Sequence, residues 1–211
     1  MADTTISASA DTAPGRLFVV SAPSGAGKTT LCNAIRKRFP SLRYSVSSTT
    51  RAPRSGERDG VDYHFISKAA FEAGIHTGGW AEWAEVHGNY YGTAAAALDE
   101  AIRRGHYVLM DIDVQGAEQI LARYPDSVTI FIMPPSHEVL VQRLAGRGTD
   151  DPAQVKRRLA AAEREMSQRT RYRHILVNDD LDATVAELAG LFTRYMDARP
   201  EAGSVAQGSS S

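Results

Sequence analysis

The sequence lacks several features that mark particular protein classes. Its 211 residues include one cysteine, Cys32, which excludes an internal disulfide framework and a cysteine-based zinc site. No stretch approaches the roughly 20 apolar residues that a membrane-spanning helix needs. The 24 Lys and Arg residues nearly balance the 25 Asp and Glu residues, so net charge favours neither nucleic acid nor an anionic membrane as partner. We expect a cytoplasmic protein in which any anion site is local.

The two ends of the chain differ in composition from the middle. Residues 1–15 contain neither Lys nor Arg and no sustained apolar run, so they fit no secretory or transit peptide and predict a disordered leader. Residues 199–211 are rich in Gly and Ser and have no period, which predicts a disordered tail. Function is therefore expected between Arg16 and about Ala198.

Short apolar runs alternate with helical patterns in the middle of the chain. Strands are predicted at residues 17–20, 107–113, 128–133 and 174–179. Helices are predicted at residues 28–38, 94–104, 114–122, 136–144, 152–168 and 181–198. This alternation predicts an α/β fold with a parallel sheet between two helical layers.

Two segments interrupt the alternation. Residues 47–93 are rich in turns, charge and aromatic side chains, which predicts an inserted small α+β module. Arginine is concentrated from Arg143 to Arg173, which predicts a cationic helical lid at residues 144–170. The remaining residues, 16–46, 94–143 and 171–198, form the predicted core.

Residues 21–30, SAPSGAGKTT, nearly match the phosphate-binding loop G-x-x-x-x-G-K-[ST]. A predicted strand precedes them and a predicted helix follows, as such a loop requires. Loop N–H groups and the helix N-terminus would bind phosphates, Lys28 would neutralise the β- and γ-phosphates, and the Thr29 hydroxyl would hold Mg²⁺. The expected ATP site comprises Ala22, Pro23, Ser24, Gly25, Ala26, Gly27, Lys28, Thr29 and Thr30.

Ala22 stands where the loop pattern has glycine. Its methyl group is an obstacle only if the backbone there has a positive φ. Gly25 and Gly27 are retained at the positions that most need backbone freedom, and a loop that only binds would be expected to have lost Lys28. We therefore expect an active loop, the alternative being an ordinary strand–turn–helix junction.

Six motifs occur in order along the chain: SAPSGAGKTT, SSTTRAPRSGERDGVDYHF, EWAEVHGNYYGT, DIDVQG, RLAGRGTD and VNDD. Because of these motifs, the part of the chain from about Arg16 to Ala198 resembles the guanylate kinases. The resemblance implies a P-loop NTPase core, a GMP-binding module at residues 47–93 and a lid at residues 144–170. It also implies the reaction MgATP + GMP → ADP + GDP, with dGMP as a further acceptor.

The module contains residues suited to a nucleoside monophosphate. Arg51 and Arg54 can offer forked donors to a phosphate, and tyrosine hydroxyls can add further donors. Guanine presents an N1–H and an amine side by side, which one carboxylate can accept together. The resemblance assigns this reading to Glu82 and completes the GMP site with Ser47, Arg51, Arg54, Glu57, Tyr63, Tyr91, Thr93 and Asp113.

Alternatives remain open for these residues. Arg51 and Arg54 are also consistent with solvated loop charges, and Glu82 with the exposed side of an amphipathic strand. Only the resemblance selects Tyr91 over Tyr90 for the phosphate.

The run YVLMDID predicts a buried strand that ends in carboxylates at the ligand-facing edge of the sheet. Asp111 is the candidate to orient Mg²⁺ through water, and Asp113 is expected to face the nucleoside. The alternative for either residue is an N-cap for the next helix. The acceptor phosphate is already ionised, so no general base is expected, and the six histidines show no metal-ligand spacing.

Phosphoryl transfer requires neutralisation of spreading charge and exclusion of water. The resemblance implies that Arg143, Arg147 and Arg158 close over the β- and γ-phosphates. A nucleic-acid role for the arginines is disfavoured because the cluster lacks stacking aromatics and the chain lacks a basic net charge.

Two other functions share parts of this pattern. A phosphokinase acting on a ribose bisphosphate would share the core, but the base-reading set Ser47, Glu82 and Thr93 argues against it. A non-catalytic module that binds phosphopeptides would lack a working ATP loop, whereas Lys28 and Thr29 stand here. The sequence leaves self-association open.

Overall fold

The computed structural model describes residues 14–86, 88–145 and 152–198. Nine strands are present in this part of the chain: β1 (Arg16–Ser21), β2 (Arg43–Tyr44), β3 (Ser48–Thr49), β4 (His64–Phe65), β5 (Trp80–Val86), β6 (Asn89–Ala94), β7 (Tyr107–Asp111), β8 (Val128–Met133) and β9 (His174–Val177). The α-helices there are α1 (Lys28–Arg38), α2 (Lys68–His76), α3 (Ala95–Arg103), α4 (Val114–Arg123), α5 (His137–Ala145), α6 (Pro152–Ser167) and α7 (Leu181–Asp197).

The core is a five-stranded parallel sheet in the order β2-β7-β1-β8-β9. Alternate residues of the central strand β1 face opposite layers, because side chains alternate along a strand. Phe18 and Val20 pack with α1 and α7, whereas Leu17 and Val19 pack with α3 and α4. The α/β fold with a parallel sheet that the alternation predicted is confirmed.

A second sheet, in the order β4-β3-β6-β5, lies within residues 48–94. Its strands β3 and β4 are only two residues long, too short to show a period in the sequence. Helix α2 is fixed to the sheet by Phe71, whose ring stacks on Trp80 at 4.1 Å and on Tyr90 at 5.1 Å between centroids. Tyr90 thus belongs to the apolar packing of this sheet.

Two predicted strands end earlier than expected because their last residues prepare the following helix. Strand β7 stops at Asp111, and Asp113 caps α4 by accepting the Gly116 N–H at 2.8 Å. Strand β9 stops at Val177, and Asp180 caps α7. Both ends therefore place polar residues at the carboxyl edge of the sheet, where ligands of α/β proteins bind.

Helices α5 and α6 pack against each other through Leu140, Leu144 and Ala162. Leu140 and Leu144 also cover Gly25 of the loop after β1, where an added Cβ would meet both side chains at 3.2 Å. This packing brings α6 to the phosphate-binding loop. No helix among residues 14–86, 88–145 and 152–198 is long and apolar enough to cross a membrane.

Candidate active site

The loop between β1 and α1 has the backbone that its glycines allow. Gly25 and Gly27 both adopt φ of +91°, a left-handed conformation that costs glycine little. Ala22 is 8% exposed, and its methyl group packs in the apolar core. Alanine is therefore accommodated at the position where the pattern has glycine. The Ser24, Thr29 and Thr30 side chains remain exposed beside the helix N-terminus.

Lys28, the first residue of α1, is held at the carboxyl edge of the sheet. Its Nζ lies 2.5 Å from Asp111 Oδ1 and donates to the Ile112 carbonyl at 3.0 Å. The side chain is 21% exposed, so the cation is held but still reachable. This geometry suits an ammonium group that neutralises an incoming phosphate.

Asn178 supports the loop from the opposite side, and no role was predicted for it. Its side chain is buried, and Nδ2 donates to the Ala26 carbonyl at 2.7 Å. The same amide occupies the space into which a Cβ on Gly27 would project. Asn178 and Ala26 are 152 positions apart, so spacing along the chain gives no sign of their contact. The one signal for Asn178 in the sequence is its place in the motif VNDD.

Five of the nine residues expected to bind the nucleoside monophosphate line one cavity of about 310 Å³ between the two sheets. Its lining includes Ser47, Tyr63, Glu82, Tyr91, Asp111 and Asp113. Four of these come from the second sheet and its connections, and the two aspartates come from the last residue of β7 and the turn that follows it. The structure thus brings together residues separated by up to 66 positions, from Ser47 to Asp113.

Glu82 is the carboxylate at the base of this cavity. It is 6% exposed, and Thr93 Oγ1 donates to its Oε1 at 2.6 Å. The Thr93 hydroxyl lies 3.3 Å from Ser47 Oγ, so three predicted base-reading residues form one chain of contacts. The pKa of Glu82 is raised to about 7, mainly by burial and also by the nearby Asp113 charge, while the Thr93 hydrogen bond acts in the opposite direction.

Arg51 lies beside the cavity and contacts Tyr91 of its lining. Its guanidinium donates to both Glu57 oxygens, at 2.8 and 3.0 Å, and its Nε donates to the Tyr91 hydroxyl at 3.2 Å. The Tyr63 ring packs edge-on against Tyr91 with centroids 5.9 Å apart. Glu57 therefore orients Arg51, and the hydrogen bonds from Arg51 lower the pKa of the Glu57 carboxyl.

Arg54 lies outside the cavity lining, and its side chain is exposed. Its backbone N–H donates to Glu57 Oε2 at 2.7 Å. Asp113 both lines the cavity and caps α4, so the capping alternative holds for this residue.

The residues predicted for Mg²⁺ offer oxygen donors near the loop. The Thr29 hydroxyl is exposed in the first turn of α1, and the Asp111 carboxylate is paired with Lys28. The described segments contain no cluster of three or more His, Cys, Asp or Glu residues that could hold a metal. Mg²⁺ commonly takes one or two protein oxygens and completes its shell with phosphates and water, so this sparse donor set fits the ion.

Of the three arginines predicted to close over the phosphates, one contacts the loop directly and another contacts Asn178 beside the loop. Arg158 on α6 donates from Nη2 to Ser24 Oγ at 2.9 Å, and Arg143 on α5 donates from Nη2 to the Asn178 carbonyl at 3.2 Å. Arg143 Nη1 is buried with no hydrogen-bond partner in the part of the protein that the structure covers. Arg147 lies outside the described residues.

Comparisons with known proteins agree with this geometry. The guanylate kinase family model matches residues 14–195. A guanylate kinase of Syntrophotalea carbinolica is 51% identical over 177 residues, 84% of each chain, and one of Alkalilimnicola ehrlichii is 49% identical over 180 residues, 85% of this chain and 89% of the relative. The chain belongs to the guanylate kinase family. The crystal structure of guanylate kinase from Anaplasma phagocytophilum has a TM-score of 0.70 at 32% identity and covers 87% of each chain.

Membership of the guanylate kinase family confirms the resemblance drawn from the six motifs. It makes the chain an ATP-dependent nucleotide kinase and supports phosphorylation of GMP as its activity. Neither alternative weighed from the sequence, the ribose-bisphosphate phosphokinase or the non-catalytic phosphopeptide module, is favoured by these relatives.

Proposed function

We propose that the protein transfers the γ-phosphoryl group of ATP to GMP in the cytoplasm, and that dGMP is a further acceptor. The carrying observation is the buried Glu82 carboxylate, which shares one cavity with Ser47, Tyr91 and Asp113 beside Lys28 of the ATP loop. Family membership supports the reaction. The proposed partners are small-molecule nucleotides, with neither nucleic acid nor membrane among them.

The proposal divides the chain by task. Residues 16–46, 94–143 and 171–198 form the core, residues 47–93 the GMP-binding module, and residues 144–170 the lid. Residues 1–15 and 199–211 are proposed as leader and tail. The hydrogen bond between Arg158 on α6 and Ser24 supports contact between the proposed lid and the ATP loop.

In this proposal the GMP-binding residues act at the two ends of the acceptor. Glu82 accepts the guanine N1–H and 2-amino group as two parallel hydrogen bonds, with Ser47, Thr93 and Asp113 beside the base and ribose. Arg51, Arg54, Tyr63 and Tyr91 bind the monophosphate, and Glu57 orients Arg51. The acceptor phosphate oxygen attacks directly, because it is already ionised.

The ATP loop and the lid then act on the transferred group. Residues 22–30 bind the ATP phosphates through backbone N–H groups, and Lys28 neutralises the β- and γ-phosphates. Arg143, Arg147 and Arg158 neutralise the charge that spreads in the transition state and exclude water. Thr29, and Asp111 through water, would hold Mg²⁺, which would supply positive charge to neutralise the ATP phosphates.

The first test is ADP formation by the purified protein with MgATP and each of GMP, AMP, CMP and UMP. We expect turnover with GMP only. Lys28→Ala should abolish it, and Glu82→Ala should lower kcat/KM for GMP by at least about 100-fold, since the site's polar groups lose their partner. Absence of turnover with every nucleotide would contradict the proposal.

A further inference from the structure

Helix α4 of the core contacts the strand that carries Glu82. Strand β5 pairs with β6 on one side only, because it is the last strand of the second sheet. The N–H and C=O groups on the outer side of an edge strand require other partners. At Trp83, directly after Glu82, that outer side faces α4.

The Gln119 side chain provides both partners at this position. Its Oε1 accepts the Trp83 N–H at 3.1 Å, and its Nε2 donates to the Trp83 carbonyl at 2.8 Å. A carboxamide has the same donor and acceptor groups as a peptide unit, so it replaces one residue of a neighbouring strand. Gln119 lies on α4, so the amide fixes β5 to the core one residue from the Glu82 carboxylate.

Gly116, three residues before Gln119 on α4, leaves room for that carboxylate. A Cβ built on Gly116 would lie 2.8 Å from Glu82 Oε2 and 3.5 Å from Asp113 Oδ1. The 2.8 Å separation from Glu82 Oε2 is shorter than a normal contact, so a side chain at position 116 would require the Glu82 carboxylate to shift. The Glu82 carboxylate thus lies against the first turn of α4, directly beside Gly116.

We propose that Gln119 is a positioning residue for guanine recognition: its two hydrogen bonds to Trp83 hold Glu82 in the orientation that accepts both guanine donors. This inference rests on the proposed function. Two parallel hydrogen bonds to one carboxylate depend on its orientation, and a displacement of about 1 Å at a binding group can cost about 100-fold in rate. Gln119 acts through Trp83 and has no contact with the nucleotide in this role.

The test compares GMP with IMP, which lacks the 2-amino group and so engages only one of the two hydrogen bonds. In Gln119→Ala we expect KM for GMP to rise about tenfold, which corresponds to loss of about one charge-assisted hydrogen bond. The preference for GMP over IMP in kcat/KM should fall by a similar factor, whereas KM for ATP should stay within twofold. Gln119→Glu keeps the acceptor for the Trp83 N–H but lacks the donor, so it should show the same loss.

Two further variants separate positioning from folding. Gln142→Ala removes an exposed glutamine on α5 and should change none of these values. Gly116→Ala places a methyl group 2.8 Å from Glu82 Oε2, so the carboxylate must move and the GMP preference should fall, with the thermal midpoint measured beside it to show that the variant is folded.

An unchanged GMP preference in folded Gln119→Ala, or an equal rise in KM for GMP and ATP, overturns the inference alone. Absence of GMP turnover by the unaltered protein overturns the proposed function and this inference with it.

Discussion

At Glu82, burial and the nearby Asp113 charge place the pKa of the carboxyl at about 7, above the ordinary value of 4.5. Between pH 4.5 and about pH 7, Glu82 keeps its proton in the folded protein but loses it in the unfolded chain. The Glu82 contribution to stability is therefore fully present below pH 4.5 and is lost as the pH rises through about 7. Guanine binding requires the opposite state, because only the carboxylate accepts two hydrogen bonds.

GMP affinity should therefore increase with pH. The ionised fraction of a group with a pKa of 7 rises from about one tenth at pH 6 to about nine tenths at pH 8, so Kd should fall about tenfold. Calorimetry at the two pH values measures this change. The phosphate of GMP itself titrates near pH 6, so guanosine, which lacks it, is the control. The Kd for guanosine should also fall as the pH rises. Equal guanosine affinity at both values would contradict the assignment.

At the scale of elements, the phosphate-binding loop depends on a residue from the other end of the sheet. Asn178 follows β9 and donates to Ala26 at 2.7 Å, while its own carbonyl accepts from Arg143 on α5. One residue thus connects the loop after β1, the end of β9 and a predicted lid arginine. Removal of the amide would leave the buried Ala26 carbonyl without this donor.

Asn178→Ala should therefore weaken ATP binding more than GMP binding. We expect KM for ATP to rise about tenfold and the free energy of unfolding to fall by about 1–3 kcal/mol, the cost of an unsatisfied buried acceptor. Steady-state kinetics and urea unfolding measure the two effects. Asn33→Ala, an exposed asparagine on α1, is the matched control. A larger effect on KM for GMP would refute the assignment of Asn178 to the loop.

Over the whole molecule, the proposed reaction requires three distant segments to meet. Lys28 follows the first strand, the cavity proposed for GMP lies between the two sheets, and Arg158 contacts Ser24, which is 134 positions away in the sequence. Helix α6 packs on α5 through Leu140, Leu144 and Ala162, a cluster separate from the two that flank the main sheet. The proposal therefore assigns GMP binding to the module at residues 47–93, and stabilisation of the charge on the transferred phosphoryl group to the ATP loop and the lid.

Arg158→Ala should consequently separate catalysis from acceptor binding. Loss of one charge-stabilising group is expected to lower kcat by about 100- to 1,000-fold, while Kd for GMP stays within twofold. Single-turnover kinetics and calorimetry measure these quantities. Arg157→Ala removes an exposed arginine from the same helix and should leave kcat nearly unchanged. A kcat close to that of the unaltered protein in Arg158→Ala would exclude a catalytic role.

Much of the fold was predictable because its signals are local. The apolar run of β1, the glycines of the following loop and the periodic pattern of α1 lie within residues 16–38, and helix α1 has the predicted bounds. The small sheet was harder to predict, since β3 and β4 derive their pairing from tertiary contacts. For the same reason the sequence could suggest Glu82 as a guanine reader but could not show its burial.

The sequence by itself determined the alternation of strands and helices, the phosphate-binding loop with Lys28, and the ordered motifs of a guanylate kinase. These depend on residue type and on spacing along the chain. Only the tertiary structure decided that Ala22 fits the core, that Glu82 has a raised pKa, and that Asn178 and Gln119 support the two ends of the site. Those properties arise from desolvation and hydrogen bonds between residues 36 to 152 positions apart, where sequence spacing carries no geometric information.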